Sequence, residues 1–70
     1  MDIRLKTCLI VRRNGEYLVG LNQITGGLNW STSPYDAWRT RKIRIAQAVA
    51  GISGGILCLF NPIAGEIKDI

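Results

Sequence analysis

Leu9-Ile10-Val11-Arg12-Arg13-Asn14-Gly15-Glu16-Tyr17-Leu18-Val19 decides the fold, because two β-prone runs meet at an Asn-Gly dipeptide. Asn and Gly tolerate the positive φ that both central positions of a type I′ turn require, so the stretch predicts a tight antiparallel hairpin. With Asn14 and Gly15 as the loop, Arg13 faces Glu16, Arg12 faces Tyr17 and Val11 faces Leu18. Opposed residues share a face. One face then carries Ile3, Leu5, Thr7, Leu9, Val11 and Leu18 and reads as core. The other carries Arg4, Lys6, Cys8, Ile10, Arg12, Tyr17, Val19 and Leu21, half of it apolar and half largely basic.

Downstream, Asn22 to Thr32 shows little periodicity and reads as a loop anchored by Leu28 and Trp30. The segment Ser33-Pro34-Tyr35-Asp36 predicts a helix start, with Ser33 as cap, Pro34 in the first turn and Asp36 near the positive end of the dipole. At helical spacing Tyr35, Trp38, Ile45, Ala46, Val49 and Ile52 gather on one side. Arg41, Arg44 and Ala48 lie opposite, and Lys42 falls inside the apolar arc, where its stem would run along the core to an ammonium in water. Gly51 or the Gly54-Gly55 pair supplies the stop. Ile56 to Phe60 is an apolar run of strand character, with a short partner over Glu66 to Ile70 and a turn between them. The expectation is a single α+β domain over residues 1–70 in ββαββ order, two β-hairpins flanking one amphipathic helix packed on a small antiparallel sheet. One helix covers one sheet face, so the reverse-face residues Ile10, Val19 and Leu21 are expected to meet a partner or a second copy, making a homodimer.

Composition bounds the function. The 70 residues are 47% hydrophobic and 20% charged, in the range of globular chains, with a net charge of +4. There is no histidine and there are only five carboxylates, spread along the chain. A thiolate catalyst at Cys8 or Cys58 would lack its usual base, and no cluster of ligands suggests a metal. The sequence therefore predicts a non-catalytic protein without a cofactor. Cys8 and Cys58 lie in apolar surroundings, which suits reduced thiols of the cytoplasm, although two cysteines permit one bridge. The N-terminal alternation of charged and apolar residues differs from an export signal.

The basic excess is regional: Asp36 to Arg44 holds four basic residues and one acidic. Arg39, Arg41, Lys42 and Arg44 beside Trp30, Tyr35 and Trp38 suit phosphate contact with base stacking. The expected partner is nucleic acid, met through Arg41 and Arg44 and also Arg39, Arg12 and Arg13; the bland alternative is a solvated helix face. Gly26-Gly27 matches no phosphate-loop spacing and reads as a connector. Two other readings stand beside this one. The first is a compact inhibitor or adaptor, of the type found in mobile elements, docking through its sheet face. The second is a short membrane protein, since Ile45 to Gly65 is uncharged over 21 residues, although Gln47, Ser53 and Asn61-Pro62 interrupt it.

Cys8 to Gly20, with Gly26-Gly27-Leu28-Asn29-Trp30 after it, resembles the opening hairpin and Gly/Trp approach of Nudix hydrolases. That family's metal-binding helix carries paired glutamates, whereas the corresponding stretch here, Trp38 to Arg44, has none. The resemblance therefore implies no hydrolase activity.

Overall fold

The structure, a computed structural model, describes residues 7–70; the face assignments made for Ile3, Arg4, Leu5 and Lys6 lie outside the described residues. The chain is an α+β domain with strands β1 (Cys8–Arg13), β2 (Glu16–Leu21) and β3 (Leu28–Ser31), helix α1 (Ile43–Ser53), and strands β4 (Ile56–Asn61) and β5 (Glu66–Asp69). The strands form one antiparallel sheet of five in the order β3-β2-β1-β4-β5.

The Asn-Gly turn is made as its chemistry demands, with φ 52° at Asn14 and 78° at Gly15. Arg12 pairs with Tyr17 and Arg13 with Glu16, as the hairpin register requires. Beyond those pairs the two strands part. The extended segment Trp38–Thr40 enters the gap: Leu9 and Thr40 exchange backbone hydrogen bonds of 2.7 and 3.1 Å, and Trp38 N–H donates to the Leu18 carbonyl at 2.8 Å. Polar backbone at a splayed, buried sheet centre must find partners, and this segment supplies them.

That wedge corrects the helix boundary. Ser33 does cap, its Oγ accepting from Tyr35 N–H at 3.3 Å, and Pro34 does open the turn, yet the result is a single 3-10 turn, Pro34–Asp36. Ala37 then returns to extended backbone (ψ 142°), and α1 begins only at Ile43, with Lys42 as its N-cap. The helical phase shifts accordingly. Ala46, Ala50 and Ser53 face the sheet, while Ile45 is exposed and Ile52 is 82% exposed, so these two isoleucines are not core. Gly54 ends the helix in the left-handed conformation (φ 73°), and Gly55 N–H bonds to the Ala50 carbonyl at 3.0 Å.

Leu28–Ser31 is also a strand and not loop, pairing with β2 across a register shift between Leu18 and Gly20. The β2–β3 connection folds on Asn22, whose Oδ1 accepts from Ile24 and Thr25 N–H at 3.0 and 3.3 Å. The β4–β5 turn repeats the device: Asn61 Oδ1 accepts from Ile63 and Ala64 N–H, and Gly65 sits at φ 71°. The uncharged run 45–65 is thereby divided into helix, turn and strand, and no helix among the described residues is long and apolar enough to cross a membrane.

Both sheet faces are covered. On one, α1 packs over Val11 and Leu18, joined by Trp30, Trp38, Val49 and Leu57. On the other, Cys8, Ile10, Cys58 and Phe60 pack with Ala37, Tyr17 and Ile67. The 3-10 turn segment closes this second face, with Tyr35 edge-on to Phe60 at 5.3 Å between ring centroids. Ile10 is 0% exposed, which corrects its assignment to an open docking face: the segment read as helix covers it instead.

Candidate anion-binding site

Four residues in sequence, Arg39-Thr40-Arg41-Lys42, run from the end of the wedge to the N-cap of α1. Thr40 is held by its bridge to Leu9, and its Oγ1 accepts from Lys42 N–H at 3.1 Å, turning the chain toward the helix. Arg39 is anchored twice, with Nη2 donating to the Tyr35 carbonyl at 3.0 Å and its guanidinium 5.7 Å from the Phe60 ring centroid. These residues, with Cys8 and with Pro62 from the β4–β5 turn, line a cavity of about 450 Å³. Three cations therefore border one concavity, and no carboxylate lines it among the described residues.

Helix α1 adds to the positive field. No side chain caps its N-terminus and no acid lies in its first turn, so its first N–H groups and the positive end of its dipole stand beside Lys42 and Arg44. Arg44 is exposed on that turn, outside the cavity. A second cavity, of about 710 Å³, adjoins the first through Cys8 and Arg41. Its walls are apolar, chiefly Leu9, Ile43, Leu59 and Ile70.

The other two arginines singled out in the sequence stand elsewhere with structural partners. Arg12 pairs with Asp69, its Nη2 lying 2.7 and 2.8 Å from the two carboxylate oxygens, and ties β1 to β5 across β4. Arg13 lies over the Trp30 ring at 4.2 Å from its centroid and donates from Nη1 to the Ser53 carbonyl at 3.1 Å, holding the C-terminus of α1 to the hairpin. Lys42 is the residue that the periodicity misplaced: counted from Ser33 it falls on the core arc, whereas as N-cap of a later helix it is exposed at the cavity. Of the neighbouring aromatic residues, Trp30 and Trp38 pack in the core layer under α1, while Tyr35 stays 55% exposed next to Arg39.

The thiols are buried and free. Cys8 Sγ lies 3.5 Å from the Phe60 carbonyl, and burial raises its pKa despite the opposing fields of Arg39 and Arg41. Burial, reinforced by donation to Asp69 Oδ1 at 3.3 Å, pushes the Cys58 thiol up to about 11. At neutral pH Cys58 is therefore a protonated donor and not a nucleophile. Among the described residues no group of three or more metal-ligating side chains comes together. Comparison with family models, with curated proteins and with solved structures finds no match to this chain.

Proposed function

We propose that the protein binds an anionic partner, nucleic acid, without catalysing a reaction on it. The observation that carries this reading is the shared cavity bordered by Arg39, Arg41 and Lys42, with Arg44 extending the basic surface along α1. Phosphate oxygens suit such a site because guanidinium and ammonium groups donate several charge-assisted hydrogen bonds, and Arg39 is already oriented by Tyr35. Arg12 and Arg13, which do not line the cavity and hold Asp69 and Trp30 with Ser53, belong to the scaffold in this reading.

Neutralising about three to four phosphates should give a slope of log Kobs against log salt between about −2 and −3.5, the shallower values for single strands. Arg44→Ala should make that slope shallower by about one and weaken binding to every oligonucleotide alike, because a phosphate contact carries no base information. Fluorescence anisotropy of a labelled oligonucleotide over a salt series measures both. Binding that ignores salt would remove the proposal.

A second reading, a protein partner or a second copy of the chain, is favoured by the apolar end of the β2–β3 hairpin. Leu21 is 63% and Ile24 is 96% exposed, with Val19 exposed nearby. In this reading Leu21→Lys returns a monomer in size-exclusion chromatography with light scattering, where the parent chain is a dimer, and leaves oligonucleotide affinity intact. A parent chain that already elutes as a monomer without any partner would remove the dimer.

A further inference from the structure

We infer that the nucleic acid is single-stranded, with a phosphate held by Arg39, Arg41 and Lys42 and an unstacked base lying in the adjoining cleft between Leu9, Ile43, Leu59 and Ile70. This rests on the anion-binding reading above and specifies the partner.

The two cavities differ in character and share a border. One is basic; the other, larger at about 710 Å³, is walled by aliphatic side chains, with Arg41 and Cys8 lining both. A ligand filling both must alternate an anionic group with an apolar surface at short range. Single-stranded nucleic acid does so at every nucleotide, since each phosphate is followed by a base whose flat faces are free. A duplex presents the same phosphates but keeps those faces stacked inside, so the aliphatic cleft beside the cations would stay wet. An acyl chain with an acidic head matches the charge pattern less well. The cleft is open to solvent, which would leave part of such a chain in water, whereas a base has polar edges that tolerate solvent. Tyr35, half exposed and edge-on to Phe60 next to Arg39, offers a further flat apolar surface to a neighbouring base.

The test uses the intact chain and three labelled probes of equal length: oligothymidylate, an oligomer of abasic sites with the same phosphates, and a thymine–adenine duplex. Affinity for oligothymidylate should exceed that for each of the others by about tenfold, the scale of burying part of one base's apolar surface. Ile43→Ser and Leu59→Thr keep the charge unchanged and should bring oligothymidylate down to the abasic level, without altering circular dichroism or duplex affinity. Equal affinity for all three probes, or a thymine preference that survives both substitutions, would overturn the base-binding cleft and leave anion binding standing. Failure to bind any probe at low salt would overturn both.

Discussion

Replacing Phe60 with alanine is expected to lower the urea unfolding midpoint by about a third or more. Phe60 is the largest fully buried side chain among the described residues, and it lies in the layer with Cys8, Ile10, Ala37 and Cys58. Tyr35 meets its ring edge-on and the Arg39 guanidinium sits 5.7 Å from its centroid, so the same ring fills the core and supports one wall of the basic cavity. Truncating a buried Phe costs about 3–5 kcal/mol, combining lost transfer free energy with the void left behind. A chain of 70 residues has about 4–10 kcal/mol in total at typical per-residue stability. The substitution therefore removes about a third of the stability at the least, and at the lower end of that range all of it. Urea titration followed by tryptophan fluorescence should show a large drop in midpoint, and Phe60→Leu, which keeps most of the volume, should recover most of it. A Phe60→Ala midpoint equal to that of the parent chain would mean that the second sheet face is not a packed core.

The second large effect is expected at Gly55, between α1 and β4. A Cβ there would lie 2.5 Å from Val11 Cγ1 and 3.0 Å from the Arg12 carbonyl oxygen. The demand is for space and not for an unusual φ, because the neighbour is a buried strand whose backbone is fixed on both sides by β2 and β4. Gly55→Ala must displace either β1 or the α1–β4 turn, an overpacking cost of about 1–3 kcal/mol. At about 4–8 °C per kcal/mol for a domain of this size, the melting temperature should fall by about 10 °C. Gly51 is the internal control, since a Cβ there meets nothing within 4 Å and the residue is exposed within α1. Gly51→Ala should stabilise by about 0.5–1 kcal/mol through helix propensity, so the two glycines should respond with opposite signs. A Gly55→Ala protein that melts with the parent would show that β1 and the turn do not approach as closely as described.

The basic cluster was legible as composition and not as geometry. Arg39, Arg41, Lys42 and Arg44 stand out in the sequence, and three of them do border one cavity. Their division into inward and outward positions was not legible, because it depends on where the helix begins. Ser33-Pro34-Tyr35-Asp36 carries a valid start signal that is used for one 3-10 turn and then abandoned. What overrides it is distant in sequence: Leu9 and Leu18 offer unpaired backbone groups that Trp38 and Thr40 satisfy as extended chain. The partners of Arg12 and Arg13 were equally hidden, since Asp69 and Ser53 lie 57 and 40 residues away.

The sequence by itself determined the features whose energy lies within a few consecutive residues. These are the Asn14-Gly15 turn, the Asn61 to Gly65 turn, a glycine stop within Gly51 to Gly55 and the strand character of the apolar runs. Left-handed backbone, side-chain-to-backbone hydrogen bonds in turns and period-two patterning are local, so they can be read without knowing the rest of the chain. Only the tertiary structure decided that β1 and β2 splay, that residues 38–40 fill the gap, that both sheet faces are covered, and that Arg39, Arg41 and Lys42 face one cavity. Those outcomes turn on satisfying buried backbone groups and filling volume across long sequence separations, and local propensity yields to them.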